Sequence, residues 1–480
     1  MTRGKVLLSD LVFYLINIFF VLAYLLWTIT YWSDRDFIND FNESIFVWIV
    51  LLFIVQSISF CMKKVSRYDF CLWFTLLSYP FMFGYLFRDI FSLQTTLLWN
   101  PINNYSQTEL FHSYLYVIGS LHLFSFGYLL FFKRTNILSL VRTNVTIPKD
   151  SRVYNIGKIF LGVGFCFTLV HDIPIILFMQ AENSYLSYSN AVSSGISGSL
   201  ALFMLPGIFF MFFSGYLNLK RKKALFICAL LYFLIFMTLT GSRKLQVFSI
   251  ISLFLGYGAS NTKDRFTFSK FLKGTGIVIM VLFVLTLLVT IREYRFDLSQ
   301  LGTGLIENIY SLNILGMLFG EIIAETGLTG LSVASIISVV PDYLPYQYGI
   351  TFIRTIPSVL PIGWLLKDFF SQASSTYVIN LYTGIPVGAS MFGDLYWNFG
   401  YCGLLFSFFF GVFFCWLLEK QIDKEKIINY RFYGALYFSI FSILIILVRS
   451  EFFDIFRPVV YVSFASFFLL KVLYHNRKEY

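Results

Sequence analysis

The feature that most constrains this chain is a series of apolar runs, many of them long enough to cross a lipid bilayer. An α-helix rises 1.5 Å per residue, so about 20 apolar residues cross the hydrocarbon core. The 480 residues are 58% hydrophobic and 13% charged, whereas a soluble domain carries about 25% charged residues. Such a chain cannot cover a water-facing surface. We therefore predict an all-α fold, a polytopic membrane helix bundle that forms one integral membrane domain over residues 1–480.

Twelve apolar runs are candidate membrane spans, of which the eighth and twelfth are short. The first has no small-residue cleavage site after it, so we expect it to remain as a span. The candidate spans are residues 11–32, 45–62, 68–87, 113–132, 154–180, 199–218, 224–241, 245–259, 274–291, 399–418, 432–448 and 459–474.

The basic residues divide unequally between the two sides of this arrangement. With the N-terminus inside, 26 of the 36 Lys and Arg residues fall on the inner side. Lys and Arg are enriched in the loops that stay in the cytoplasm, so we expect both termini to be cytoplasmic. The net charge of +10 is therefore a topology signal, and we predict no nucleic-acid partner.

The largest outer segment is residues 292–398, between the ninth and tenth spans, and it has 107 residues. Loops this long usually carry function or have structure of their own. The segment contains apolar stretches at 314–340 and 350–366, which predict short, partly re-entrant or interfacial helices packed on the bundle. Irregular backbone at membrane depth requires protein or water to satisfy it. We place the candidate active surface in this segment.

Two pairs of outer cations could bind an anion. Arg243 and Lys244 follow a Gly-Ser turn that opens a helix, where free N–H groups and the helix dipole favour phosphate. The alternative is a pair that extends from a helix end to the interface. Arg292 and Arg295 share a helix face after the ninth span. They could instead be interfacial anchors that pair with nearby carboxylates.

Three single cations near the outer face are further candidates. Arg354 stands alone in an apolar stretch that prolines terminate. An Arg at the centre of a membrane helix costs about 2.5–3.5 kcal/mol on insertion scales, so it requires a ligand or a carboxylate. Arginine also matches phosphate geometry in a bidentate way. Arg449 and Arg457 flank the last outer turn, where pairing with Glu451 and Asp454 is the alternative.

Carboxylates and aromatics near these cations could act on a sugar. Asp394 and Asn398 are four residues apart, so one helix face carries both. That face could bind a sugar hydroxyl, with Asp394 as the proton acceptor and Tyr396 among the substrate-binding aromatics. Glu321 and Glu325 have the same spacing, and either could be a base or the partner of an arginine. A helix cap with small-residue packing is the alternative for Asp394.

Other polar residues are candidates for a functional role on less specific patterns. Asp34 and Asp36 form an acidic pair in the first outer loop, where solvated side chains are the alternative. His171 and Asp172 lie inside the fifth span, and an intramembrane carboxylate is a functional hypothesis unless it only shapes a helix kink. The six Cys form no C-x-x-C motif and the four His have no metal-ligand spacing. We therefore predict no metal site and no cofactor.

Two of these motifs together resemble a known family, over roughly residues 230–420. The chain resembles the bacterial O-antigen and capsule repeat-unit polymerases of the Wzy type. Where the family has Glu in a G-E-x-Y-x-N-F-G segment, this chain has Asp394, a carboxylate one methylene shorter. The matching residues are Thr240-Gly241-Ser242-Arg243, Tyr348-Gly349, Pro357, Pro361, Gly388-Ala389-Ser390 and Gly393-Asp394-Leu395-Tyr396-Trp397-Asn398-Phe399-Gly400-Tyr401-Cys402-Gly403.

The resemblance implies metal-independent glycosyl transfer at the outer face of the bacterial cytoplasmic membrane. The expected partner is an undecaprenyl-diphosphate-linked oligosaccharide within the lipid bilayer, with a chain-length regulator and a flippase of the same pathway as possible partners. It implies that Arg243 and Arg354 contact the diphosphate. It places Asp394 and Asn398 near the acceptor sugar.

Three other functions remain open from the sequence. A flippase of the same pathway fits twelve spans, but the long outer segment is lopsided and the two halves show no internal repeat. An O-antigen ligase has the closest chemistry with a different acceptor. A polyprenyl-phosphate-sugar glycosyltransferase would depend on Asp34 and Asp36. A purely structural or assembly role in the membrane is the remaining class.

Overall fold

The structure, a computed structural model, describes ten stretches of the chain, within which the regular structure is helical. The described residues are 3–32, 34–93, 101–132, 149–182, 196–240, 244–261, 314–360, 367–384, 388–419 and 430–475.

Eighteen α-helices are described, and short 3-10 turns follow several of them. The helices are α1 (Arg3–Tyr31), α2 (Arg35–Asn39), α3 (Asn42–Lys63), α4 (Phe70–Ile90), α5 (Gln107–Phe131), α6 (Ser151–Glu182), α7 (Ile196–Ala201), α8 (Met204–Phe213), α9 (Leu219–Thr240), α10 (Lys244–Ser260), α11 (Ile314–Val339), α12 (Ile350–Thr355), α13 (Lys367–Ser371), α14 (Ser375–Thr383), α15 (Met391–Phe399), α16 (Gly403–Glu419), α17 (Tyr430–Leu444) and α18 (Phe452–His475).

Eight segments of the described chain are long and apolar enough to cross a membrane. The prediction of an all-helical membrane bundle is therefore confirmed, but the count of twelve spans is not. The sixth predicted span is divided between α7 and α8, and the ninth, residues 274–291, lies outside the described residues. The eight segments are Leu8–Tyr31, Asn42–Lys63, Phe70–Ile90, Gln107–Phe131, Ser151–Phe178, Met391–Leu418, Tyr430–Arg449 and Phe452–Leu473.

The helices around the candidate site pack closely at glycines. A Cβ atom on Gly84 of α4 would lie 2.4 Å from the carbonyl oxygen of Ile323 of α11. A Cβ atom on Gly127 of α5 would lie 2.3 Å from the carbonyl oxygen of Phe408 of α16. Only glycine permits these approaches, which join the N-terminal helices to the C-terminal part of the chain.

The segment Met391–Leu418 is not one straight helix, because the chain changes direction at Gly400. The Phe399 and Phe406 rings stack with centroids 3.7 Å apart, whereas seven residues of a continuous helix rise about 10 Å. Gly400 has a φ angle of 56°, a conformation that favours glycine. The tenth predicted span, residues 399–418, therefore begins at this turn, and α15 is a separate short helix that precedes it.

Helix α15 is antiparallel to α5, and α16 is parallel to α5. The Phe392 ring contacts Phe74, which contacts Phe124 of α5, whereas the Tyr396 ring contacts Tyr116, two turns nearer the start of α5. The first turn of α15, which carries Asp394, is consequently packed beside the middle of α5.

The apolar stretches of 292–398 that are described also pack on the bundle. The stretch predicted at 314–340 as short helices is instead one helix of 26 residues, α11. The stretch 350–359 lies along α18, because the Phe352 ring lies 4.9 Å from that of Phe452 and the Tyr461 hydroxyl donates to the Val359 carbonyl. This packing brings Arg354 to the same part of the molecule as the start of α15 and the start of α18.

Candidate active site

Two buried carboxylates meet where α14, α15 and α18 begin. Asp394 is 5% exposed and lies in the first turn of α15, and Glu451 is 4% exposed and directly precedes α18. The Ser375 hydroxyl, at the start of α14, contacts both: it donates to Asp394 Oδ1 and lies 2.9 Å from Glu451 Oε2. We name Asp394 and Glu451 the acidic pair.

Backbone and hydroxyl donors hold each carboxylate in position. Glu451 accepts hydrogen bonds from the Ser374 hydroxyl at 2.7 Å and the Thr376 N–H at 3.0 Å, which places it at the N-terminus of α14. Asp394 Oδ2 accepts from the Phe452 N–H at 2.8 Å, at the N-terminus of α18. The partial positive charge at these helix ends favours negative groups there.

The contacts of Ser375 suit an acidic pair that carries one proton. A serine hydroxyl has a single proton to offer to the two carboxylates. A proton on one carboxyl group would let that group donate to Ser375, which then donates to the other. Two carboxylates this close repel each other strongly in a buried site, so taking up one proton is favourable for the pair as a whole. The arrangement can therefore hold, accept and release a proton.

Asn398 joins the predicted sugar-binding face to the Arg354 segment. Its Nδ2 donates to the Asp394 carbonyl at 2.8 Å, which places both residues on one helix face, as their spacing indicates. Its Oδ1 accepts from the Gly349 N–H at 3.0 Å, and its Nδ2 lies 2.7 Å from the Thr351 hydroxyl. Asn398 therefore fixes residues 349–351 against α15.

Aromatic side chains surround the end of α15 that points toward the Gly400 turn. The Tyr396 ring, which is buried, lies 5.1 Å from Tyr116 and 5.4 Å from Tyr401. The Tyr401 hydroxyl contacts His112 Nδ1 at 3.1 Å, and Trp32 packs on both rings. Aromatic faces with polar edges are suited to packing against sugar rings.

Arg354 is half-buried one turn after Thr351. Its guanidinium donates to the Gln372 carbonyl at 3.4 Å and lies 5.8 Å from the centre of the Phe369 ring. Arg457 lies on α18, against which this segment packs, and Arg449 is two residues before Glu451. Arg457 thus lies on α18, which begins beside the acidic pair, Arg354 lies on a segment packed against α18, and Arg449 directly precedes this region in the sequence.

The remaining site predictions lie partly or wholly outside the described residues. Arg243, Arg292 and Arg295 are not among the described residues. Lys244 begins α10, and Glu321 and Glu325 lie on α11, but their side chains are outside the described part. Their assignments remain predictions. Within the described residues, no group of three His, Cys, Asp or Glu side chains could hold a metal ion.

The weaker candidates have local partners. Asp34 caps α2 by accepting a hydrogen bond from the Phe37 N–H at 3.2 Å. Asp172 Oδ1 lies 2.7 Å from His171 Nδ1, and its Oδ2 accepts from the Tyr232 hydroxyl of α9. These contacts assign a structural role to each carboxylate.

Two residues of the site were not singled out from the sequence. Glu451 was interpreted only as a possible partner of the neighbouring arginines, and Ser375 was not considered. A signal for Glu451 exists, because it is one of two carboxylates in the short turn between the eleventh and twelfth predicted spans, at their predicted outer ends. No local pattern marks Ser375, which enters the site through tertiary packing.

Comparison with known proteins gives one result. The family model described as O-antigen polysaccharide polymerase Wzy matches residues 13–477, nearly the whole chain. No curated protein and no solved structure matches the chain.

Proposed function

This chain belongs to the O-antigen polysaccharide polymerase Wzy family, and from that premise we propose that it joins lipid-linked oligosaccharide repeat units by glycosyl transfer. It is a multi-pass protein of the inner membrane with at least the eight apolar spans described above. The proposed substrates are undecaprenyl-diphosphate-linked oligosaccharides. The reaction is proposed to occur at the outer face and without a metal ion.

The proposed reaction forms one glycosidic bond and breaks one sugar–phosphate bond. A hydroxyl group of the acceptor sugar attacks the anomeric carbon of the donor glycan. The bond between that carbon and the diphosphate oxygen breaks, and undecaprenyl diphosphate leaves with the bonding electrons. The hydroxyl proton passes to the acidic pair, with Asp394 as the proposed acceptor and Glu451 as its partner. General-base assistance of this kind contributes about 10²–10⁴-fold in rate.

Cations on adjoining elements would bind the diphosphate and stabilise the charge of the leaving group. Arg354 and Arg457 are the described candidates, and Arg243, Lys244, Arg292, Arg295 and Arg449 are further proposals from the sequence. Charge-assisted hydrogen bonds contribute about 1.5–3 kcal/mol each. The proposed location of the site at the outer face is supported by the distribution of basic residues. In the predicted topology, 26 of the 36 Lys and Arg residues fall on the inner side, opposite the site.

The observation that carries the proposal is the acidic pair. Two buried carboxylates side by side cost stability, and intramembrane carboxylates are typically functional. The pair lies between the aromatic cluster around Tyr396 and the segment of Arg354, so a base, sugar-packing surfaces and a cation are on adjoining elements.

Deletion of the gene in the native host tests this function. A polymerase deletion should leave single repeat units on the surface lipid and abolish the ladder of long chains. A flippase deletion would prevent even the display of single units, and a ligase deletion would leave polymer on the carrier lipid. Either of these outcomes would contradict the proposal. Re-expression of the wild-type chain should restore the ladder.

A further inference from the structure

A polar cavity of about 400 Å³ opens beside the first turn of α5. Its wall includes the amide side chains of Asn42, Asn103 and Gln107, together with the rings of Tyr105 and Tyr114. Pockets of about 300–1,000 Å³ with a few convergent polar groups are typical binding sites for small ligands. Planar amides beside tyrosine rings can form hydrogen bonds with hydroxyl groups and pack against a sugar face.

The charges that line the cavity offset each other. Arg88, which is 9% exposed, contacts Asp89 Oδ1 through Nη2 at 2.6 Å and through Nε at 2.9 Å. A phosphate group requires an excess of positive charge, which this ion pair does not provide. The cavity is therefore better suited to a neutral ligand rich in hydroxyl groups.

Tyr114 adds a phenol hydroxyl to the wall of the cavity. The residue is 4% exposed and lines the cavity. Its hydroxyl can donate to or accept from a ligand hydroxyl there.

A chain of polar side chains leads from the wall of the cavity toward the acidic pair. The Tyr105 hydroxyl lies 2.5 Å from Ser335 Oγ, and burial raises the pKa of Tyr105, so this hydroxyl stays protonated. Ser335 also lines a small void that Ser375 and Trp397 border. The buried Trp397 Nε1 has no partner within the described stretches. Polar groups thus continue from the cavity to the serine that joins the two carboxylates.

We propose that this cavity is a carbohydrate subsite, which binds a neutral, hydroxyl-rich sugar residue of the glycan substrate beside the reacting groups. The inference rests on the proposed function, because it assigns one part of the same substrate. It predicts that the glycan is bound at two places, at the acidic pair and at the cavity. Binding at both would fix which sugar residue of the glycan lies at the acidic pair during transfer.

Binding measurements on the full chain in lipid nanodiscs test the subsite. The probe is the repeat-unit oligosaccharide released from the host's own polymer, and titration calorimetry gives its affinity. Tyr114→Phe removes one hydroxyl without changing the ring, and Asn103→Ala removes one exposed amide. We expect each to weaken binding about three- to tenfold, the value of one hydrogen bond. Tyr343→Phe, an exposed tyrosine outside the cavity, is the matched control and should bind like the wild type.

The possible outcomes separate this inference from the proposed function. Equal affinity in the wild type, Tyr114→Phe and Asn103→Ala would overturn the subsite, as would absence of binding to the wild type. If Tyr114→Phe weakened binding of inorganic pyrophosphate and left oligosaccharide binding unchanged, the cavity would be an anion site and the inference would be wrong. In the Asp394→Asn background the cavity is intact, so adding Tyr114→Phe should weaken oligosaccharide binding by the same factor as in the wild type. If Asp394→Asn polymerised normally, the proposed role of the acidic pair would fail while the subsite stood.

Discussion

Asp172 and Asp394 are both carboxylates within apolar helices that accept hydrogen bonds, but only Asp394 has a second carboxylate, Glu451, beside it. Asp172 is next to the ring nitrogen of His171 and accepts from the Tyr232 hydroxyl, so its neighbours are hydrogen-bond donors. Asp394 faces Glu451, a second carboxylate, across the hydroxyl of Ser375. At Asp172 the neighbouring groups stabilise one carboxylate, whereas at Asp394 a second carboxylate is placed beside the first.

This difference indicates which carboxylate has a chemical role. Two buried groups of like charge repel each other, so a fold that only needed a helix kink would be expected to resemble the Asp172 site. Helix N-termini and a serine hold the acidic pair against this repulsion. We infer that the pair is retained because proton transfer requires it. The variants below are ordered from the largest expected effect to the smallest.

Asp394→Asn should abolish most of the polymerase activity. Asparagine keeps the size of the side chain, and its Oδ1 can accept the hydrogen bond of the Phe452 N–H while its Nδ2 donates to the Ser375 hydroxyl, but it cannot take up a proton. We expect a loss of about 10²–10⁴-fold in the rate of chain extension. The ladder of surface polysaccharide gives the readout in cells, with the amount of the chain in the membrane measured alongside.

Arg354→Ala should lower the rate about 10–100-fold if the guanidinium binds the diphosphate, because one charge-assisted hydrogen bond is lost. Arg354→Lys should retain part of the activity. The matched control is Arg35→Ala, an exposed cation on the short helix α2. Equal ladders from the Ala variants at positions 354 and 35 would remove Arg354 from the site.

Glu451→Gln should slow polymerisation about tenfold, which corresponds to about 1.4 kcal/mol from a neighbouring charge. Glutamine cannot accept the hydrogen bonds of both Ser374 and Thr376, so the thermal stability of the variant must be measured as well. Asp454→Asn is the control, since Asp454 is an exposed carboxylate on α18. If the two variants had the same rate, Glu451 would have no special role.

Asp172→Asn should have the smallest effect, with polymerisation within about threefold of the wild type. The amide can keep hydrogen bonds to His171 and Tyr232, so the main change is a loss of stability on the order of 1 kcal/mol. Thermal unfolding in detergent measures this loss. A polymerisation defect without a loss of stability would place Asp172 among the functional groups.

Much of the helical framework follows from local sequence. The runs predicted at 45–62 and 68–87 correspond to α3 and α4, which begin at Asn42 and Phe70. Length and hydropathy suffice for these elements, because each must satisfy its backbone within the bilayer.

The acidic pair could not be predicted, because its members are 57 positions apart in the sequence. The pattern Arg449-Ser450-Glu451 favours local pairing, and only the packing of α14, α15 and α18 brings Glu451 to Asp394. The turn at Gly400 has a similar origin. Its glycines are visible in the sequence, but the packing of Tyr396 against Tyr116 of α5 is not local.

The most direct test compares Asp394→Asn with Asp172→Asn in one assay, since each replaces an intramembrane carboxylate by its amide. Purified chains reconstituted in vesicles would be given lipid-linked repeat units, and the rate of chain extension would be measured. The account predicts that Asp394→Asn is at least about 100-fold slower than Asp172→Asn. Equal rates for the two correctly folded variants would contradict it.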